Sequence, residues 1–181
     1  GIVIVQYNQS QARLEKVTGQ LVYVDVPVPA NADGKALGPA DARVVIYEYA
    51  DFFCPACREF EATIGKRIKD ELLPLGSVRL EFMTHQIIQG STTPAVAAEC
   101  AFEQGLFWPL HDQLYPNQGL LRTANEPAVF ASLAGRIPGM DIAEFEACQG
   151  RNAIRSRVLD GANEHRNIGV NATPTLVVVI G

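Results

Sequence analysis

The sequence predicts an α/β fold: a parallel βαβ unit, then a long helical insertion, then a last strand. Three patterns carry that expectation. Arg43–Tyr49 (RVVIYEY) reads as a strand buried on both faces, as in the middle of a sheet. Phe60, Ile64, Ile68 and Leu72 recur every four residues among Arg58, Glu59, Glu61, Lys66, Arg67, Lys69 and Asp70, an amphipathic helix stopped by Pro74 and Gly76. Val78, Leu80 and Phe82 alternate with Arg79 and Glu81, a second strand with one buried face. Strand, helix and strand in this order cross over right-handed, with the two strands parallel.

The remaining elements follow in order. Gly1–Tyr7 reads as a short strand rich in β-branched residues, and Asn8–Leu21 as a helix capped near Ser10, with Leu14, Val17 and Leu21 at helical spacing. Val22–Ala42 carries Pro27, Pro29, Gly34, Gly38 and Pro39, a connecting segment with a possible strand at Val22–Val26. Beyond the βαβ unit, Thr93-Pro94 opens a helix running through Cys100 to Gln104. Trp108–Tyr115 forms a short one, Asn125 caps another with Pro127 at its first position, and Asp141 caps a fourth containing Cys148. Gly150–Ile168 is mostly helical and ends at Gly169. Last comes Asn171-Ala172-Thr173-Pro174-Thr175 before Leu176–Ile180, with the proline at the only place a strand tolerates it, its start or edge. These patterns divide the chain into 1–42, 43–90 (the βαβ half with the cysteine pair), 91–169 (the helical insertion) and 170–181.

At 181 residues, 48% hydrophobic and 19% charged, the chain is one domain able to bury a core without staples. A net charge of −5 and the lack of a basic run argue against a nucleic-acid partner. His85, His111 and His165 are scattered, and each reads as a surface or core residue rather than a metal ligand. Ile2-Val3-Ile4-Val5 is far too short to span a bilayer, which takes ~20 apolar residues.

The chemistry sits at Cys54-Pro55-Ala56-Cys57. Two cysteines separated by two residues close a disulfide across one helical turn. With Cys54 at the cap, its sulfur faces unpaired N–H groups and the positive end of the helix dipole, and both favour thiolate over thiol. Pro55 suits the first helical position, and Cys57, one turn in, is the shielded partner. Two plainer readings compete: half of a zinc site, or a pair of inert buried thiols. Cys100 and Cys148 lie too far from the pair and from each other to form a second zinc knuckle, so no metal is expected. The even count of four cysteines points to an oxidising compartment, and a Cys100–Cys148 bridge is expected over two ordinary buried cysteines.

Glu48-Tyr49-Ala50-Asp51-Phe52-Phe53-Cys54-Pro55-Ala56-Cys57, the insertion with Glu99-Cys100-Ala101 and Phe107-Trp108, and Ala172-Thr173-Pro174-Thr175 together resemble a DsbA-type thiol–disulfide oxidoreductase of the thioredoxin superfamily. The resemblance runs from about Gly38 to Gly181. It implies a thioredoxin-like fold with a helical insertion domain, Cys54 as exposed nucleophile and Cys57 as buried partner. It also implies that Pro174 is cis and packs against the disulfide, and that Thr173 offers its backbone to an extended substrate. Glu48 matches the family's acidic residue behind the site, where a carboxylate relays protons to Cys57; the competing reading is a strand-end residue facing solvent. Pro55 and Ala56 tune the reduction potential, with Ala56 standing where the best-known member has a histidine.

The resemblance further implies no cofactor beyond the cysteine pair, folding proteins with free thiols as substrates, and a membrane or small-molecule reoxidant. The place of action is expected to be extracytoplasmic: periplasm or cell-envelope exterior, secreted or membrane-anchored. Two alternatives stay open: an isomerase or reductase for a dedicated client, and a non-catalytic thioredoxin-like module that binds peptides. In a thioredoxin fold the strand after the cis proline is followed by a hairpin strand and a helix, whereas here the sequence stops at Gly181. Gly1–Tyr7 and Ser10–Leu21 supply a strand and a helix in that order. The expectation is therefore a circularly permuted or chain-swapped arrangement with the N-terminal strand antiparallel to Leu176–Ile180. The competing account makes Gly1–Val5 the clipped end of a membrane anchor.

Overall fold

The computed structural model describes residues 2–181, and the side chains from residue 10 onward. A five-stranded sheet in the order β1-β2-β4-β3-β5 forms its centre. β3 (Val44–Ala50) and β4 (Val78–Thr84) pair in parallel, with Glu48 opposite Phe82. β5 (Thr175–Ile180) runs antiparallel along the other side of β3, with Leu176 opposite Glu48. The β3–helix–β4 unit thus sits at the heart of the sheet: β4 is the middle strand, and β3 lies between β4 and the edge strand β5. A short hairpin, β1 (Ala32–Asp33) and β2 (Ala36–Leu37), adds to the far edge of β4. Its turn is Gly34-Lys35, where Gly34 adopts φ +61°, the positive φ that favours glycine at the first position of a two-residue hairpin turn.

α2 (Pro55–Phe60) continues through two π-helical turns, Glu61–Gly65 and Ile68–Leu72, to a 3-10 turn at Leu73–Leu75. The wide turns move the buried stripe. It comprises Cys57, Phe60, Gly65, Ile68 and Leu73, so Ile64 and Leu72, expected inside from their four-residue spacing, face solvent. The same rotation carries Glu61, on the expected polar face, inward.

The insertion comprises α3 (Thr92–Glu103), α4 (Phe107–Leu114), α5 (Gln118–Thr123), α6 (Pro127–Ala134), α7 (Ile142–Gln149) and α8 (Asn152–Asn167). Asp141 caps α7, accepting from the Glu144 N–H at 3.0 Å. Asn125 does not cap α6: Glu126 holds that position, and the Asn125 amide instead donates to Gly90 O at 2.9 Å. Its fully buried rings and aliphatics (Phe107, Trp108, Leu110, Leu121, Phe130, Leu133, Phe145) join Phe52, Phe53, Leu80 and Phe82 of the sheet side in one core. Burial of this kind contributes roughly 1.5–3 kcal/mol per large side chain.

Two expectations at the N-terminal end are corrected. Residues expected as a strand at Gly1–Tyr7 belong to a single helix, α1 (Ile2–Thr18), with Gly1 outside the described residues. β propensity records fit to a pleated, half-buried surface; unpaired with any strand, the segment satisfies its backbone within a helix. α1 packs on α6, and Arg13 pairs with Glu126 at 2.9 Å. The intramolecular permutation therefore does not form: among the described residues β5 pairs with β3 alone, and its apolar residues Leu176–Ile180 are all exposed. Val22–Val26 is not a strand either. It lies extended against the end of α4, where side-chain amides replace a neighbouring strand: Val22 N–H donates to Asn117 Oδ1 at 2.7 Å and Val24 N–H to Gln113 Oε1 at 2.9 Å. Among the described residues no helix is long and apolar enough to cross a membrane.

Candidate active site

Cys54 occupies the N-cap of α2 in extended conformation (φ −76°, ψ 119°), with Pro55 in the first turn. A proline there lacks only an N–H that no helical carbonyl would accept. Pro55 and Ala56 are exposed, Cys54 is 7% exposed, and Cys57 is completely buried. Both sulfurs are free thiols. Thr173–Pro174 is a cis peptide bond, and the Cys54 thiol donates to Thr173 O at 3.4 Å. The start of α2 and the loop before β5 thus meet at one end of the sheet. Burial pushes the Cys57 thiol well above its ordinary value, only partly countered by the backbone near Asp51 and the Thr173 side chain.

Glu48 lies inside β3, not at a solvent-facing strand end, and is wholly buried. Burial first, then the neighbouring Glu61 charge, raises its carboxyl well above the ordinary range. Neither Glu48 oxygen has a hydrogen-bond partner, as fits a carboxyl that carries its own proton rather than a charge. Burial alone would raise Glu61 too, yet His111 and Lys69 hold it strongly below the usual carboxylate range. The Lys69 ammonium donates to Glu61 Oε2 at 2.8 Å. The Tyr115 hydroxyl is buried, without a hydrogen-bond partner, and within reach of the charges of both Glu48 and Cys57.

Three further residues fix this site, and none stands out in the sequence. Asp51, buried at the end of β3, accepts from Phe53 N–H at 2.7 Å through one oxygen. Its other oxygen accepts from Ile87 N–H, Ile88 N–H and the Ser91 hydroxyl at 2.7–2.8 Å. The redox turn is thereby tied to the loop after β4. Gln118 of α5 donates to both Phe52 O and Cys54 O, each at 2.9 Å, tying the same turn to the insertion. His111 of α4 stands behind Glu61. The only local signal is for Asp51, an acidic residue directly before a strand-to-helix turn; the others act across more than 40 residues of chain.

The remaining cysteines lie apart from this site. Cys100 of α3 and Cys148 of α7 are joined in a disulfide inside the insertion. Among the described residues, no group of three or more His, Cys, Asp or Glu side chains gathers in an arrangement able to hold a metal ion.

Comparison with known proteins agrees with this geometry. The chain is 28% identical to the probable disulfide bond formation protein D of Bacillus cereus, over 80% of this chain and 69% of that protein. The crystal structure of oxidised BdbD from Bacillus subtilis superposes with a TM-score of 0.71 at 25% identity, covering 81% of this chain and 82% of that one. A Na(+)/H(+) antiporter, NhaA 1 of Salinispora arenicola, is 34% identical over 86% of this chain, which spans only 23% of that longer protein. The family described as Thioredoxin matches residues 30–179, from the β1–β2 hairpin through the redox turn to β5, and the chain belongs to that family.

Proposed function

We propose that this protein is a thiol–disulfide oxidoreductase that passes disulfides to folding proteins outside the cytoplasm. The observation that carries the reading is the meeting of Cys54, buried Cys57 and the Thr173 carbonyl at one end of the sheet. In the oxidised pair, a substrate thiolate attacks Cys54 Sγ. The Cys54–Cys57 bond breaks, a mixed disulfide forms on Cys54, and Cys57 leaves as a thiolate that takes up a proton. A second substrate thiolate attacks the substrate sulfur of the mixed disulfide and releases Cys54. The substrate loses two electrons and the cysteine pair gains them. Glu48 takes the role of proton donor to Cys57, Thr173 offers backbone to an extended substrate, and Pro55 and Ala56 set how readily the pair gives up its disulfide. A membrane or small-molecule oxidant restores the pair, with no other cofactor. The Cys100–Cys148 bridge supports an oxidising, extracytoplasmic setting, whether free or membrane-anchored.

The test is the reduction potential of the Cys54/Cys57 couple, with activity in refolding a reduced, scrambled client. A potential well above that of thioredoxin, about −270 mV, supports donation; one near it reverses the direction to reductase. Replacing Cys54 by Ser abolishes exchange if the chain is an enzyme, and leaves client binding intact if it is a peptide-binding module. That part of a sodium–proton antiporter resembles this chain favours a second reading, exchange with one dedicated client. Mixed disulfides trapped by Cys57→Ser separate the two: many clients for a general donor, one for a dedicated enzyme.

A further inference from the structure

We propose that His111 is the proton store for Cys57, feeding it through Glu61 and Glu48 and refilled from water in the cleft at Asp112. The inference rests on the thiol–disulfide reading and adds a relay residue to it. His111 is completely buried, and its ring packs against Phe52, Phe82, Phe107, Trp108 and Tyr115 at 4.8–5.9 Å between centroids. Such a cage is ordinary for an apolar residue, but this ring has an acid at each nitrogen. Nδ1 lies 2.7 Å from Asp112 Oδ1, and Nε2 faces Glu61 Oε1 at 3.5 Å. Lys69 closes the circuit, 2.8 Å from Glu61 Oε2 and 3.6 Å from Asp112 Oδ1.

Glu61 Oε1 and His111 Nε2 face each other without a hydrogen-bond partner, and both oxygens of Glu48 are equally unpartnered. Orphaned polar atoms in a buried pocket are costly unless a shared proton joins them. Because Lys69 occupies Glu61 Oε2, the free oxygen is the one turned towards the imidazole. An open cleft of about 530 Å³, lined by Glu61, Lys69, Asp112 and Tyr115 among others, brings water to the outer end of this row.

The groups facing His111 from the packed elements are Glu61 from the helix after the redox turn, Lys69 one π-turn further on, Asp112 and Tyr115 from its own helix, and Glu48 of β3 behind Glu61. Burial alone would make the imidazole less basic, but the Glu61 and Asp112 carboxylates outweigh burial and the opposing Lys69 charge, so His111 stays more basic than usual. With Glu48 neutral, Glu61 and Asp112 anionic, and His111 and Lys69 cationic, the five charges sum to zero.

The proton accounting closes. When substrate attack breaks the Cys54–Cys57 bond, Glu48 gives its proton to the Cys57 thiolate. Glu48 regains one from His111 Nε2–H by way of Glu61 Oε1, and His111 is left neutral with Nδ1–H held by Asp112. When Cys57 later reforms the disulfide, its proton returns along the same row; between the two steps the imidazole equilibrates with cleft water at Asp112.

The test measures single-turnover reduction of the oxidised protein by dithiothreitol from pH 5 to 9, in the wild type, His111→Gln, His111→Ala and Glu61→Gln. His111→Gln is expected to be slowed about tenfold above pH 6, less than the 10²–10⁴-fold of a general acid in direct contact. Added imidazole, entering by the cleft, is expected to restore His111→Ala. Profiles of His111→Gln and wild type that coincide, with Glu61→Gln still slow, would mean that protons enter at Glu61 directly, and the inference would fall. Nitrogen-15 spectra of the histidine-labelled wild type settle it without a variant: an imidazolium at neutral pH in the oxidised protein supports the store, and a neutral His111 across pH 5–8 overturns it. Failure of the underlying reading looks different, since the wild type itself would then not exchange with dithiothreitol.

Discussion

Cys54 Sγ lies 3.4 Å from the carbonyl oxygen of Thr173, across 119 residues of chain. The contact fixes which sulfur meets a client: Cys54 opens towards the proline loop, while Cys57 lies beneath it with no exposed surface. In the reduced protein iodoacetamide is expected to label Cys54 and to spare Cys57 until the fold is lost. A Cys57→Ser variant is expected to accumulate mixed disulfides on Cys54 alone. Peptide mass mapping after alkylation checks both, and native labelling of Cys57 at a comparable rate would remove the assignment of nucleophile and partner.

Gln118 carries two hydrogen bonds to the redox turn, at Phe52 O and Cys54 O, from inside the insertion. Gln118→Leu keeps most of the volume but leaves two buried carbonyls without this donor. A loss of about 2–3 kcal/mol is expected. Urea denaturation reads it, and the rate of Cys54 alkylation should change with it because the turn loses its tie to α5. An unchanged midpoint would mean that the turn is held by Asp51 alone.

How far the site is legible in the sequence follows from the range over which each residue acts. The Cys54-Pro55-Ala56-Cys57 spacing and the Pro55 position are local features, so the redox turn can be read directly. The same holds for the β3–α2–β4 unit, whose strands show period two or continuous burial. Glu61 and Lys69 misread as solvent-facing because an ideal 3.6-residue turn puts Lys69 opposite Phe60 and Glu61 well off its stripe; two π-helical turns swing them inward and Ile64 outward. Val22–Val26 misreads as a strand because the backbone partners of Val22 and Val24 are the side-chain amides of Asn117 and Gln113, about ninety residues on. Gln118 and His111 have no local signature, since what they do depends on which elements α4 and α5 pack against.

Glu48 sits where stability and proton transfer pull in opposite directions. Its folded value lies above its unfolded one, so its contribution is intact at low pH and is lost as pH rises from about 4.5 through the folded value. Glu48→Gln removes the titration and keeps an amide to donate to Glu61. The variant is expected to be more stable than wild type at pH 7–8 by about 1–3 kcal/mol, with little difference at pH 4, and to reduce more slowly with dithiothreitol. Urea midpoints at the two pH values check it; equal stability at pH 8 would mean that Glu48 is not held protonated.

The Cys100–Cys148 bridge joins α3 to α7 across a sequence separation of 48. In the loop-entropy account, closing a loop of that size restricts the unfolded chain by about 4 kcal/mol. The Cys100→Ala/Cys148→Ala double variant is expected to lose about that much while its Cys54/Cys57 potential stays the same, because the bridge lies within the insertion. Chemical denaturation and thiol–disulfide equilibration with glutathione separate the two effects. A shift in potential would mean that strain from the insertion reaches the redox turn.

His165 and His85 pack with their ring centres 5.4 Å apart between α8 and the end of β4, and the pair is expected to set how the fold responds to mild acid. Burial, then the nearby His85, lowers His165 to about 4 from an ordinary 6.5. Burial likewise lowers His85, whose two ring nitrogens have no side-chain hydrogen-bond partner. Because the folded values lie below the unfolded ones, the unfolded chain binds more protons between about 6.5 and 4, and stability falls as pH drops through that window. At about 1.4 kcal/mol per pH unit the His165 contribution reaches at most about 3 kcal/mol by pH 4. Other groups act elsewhere or with the opposite sign. Glu61 and Asp112, held low, lose their contribution only below the ordinary carboxylate range, and His111, held high, adds stability on the acid side. A loss that begins above pH 5 therefore belongs to the His85–His165 pair. His165→Phe, which keeps a ring against Tyr49, is expected to flatten the urea midpoint between pH 6.5 and 4.5; a slope equal to that of the wild type would show that the pair stays neutral without cost.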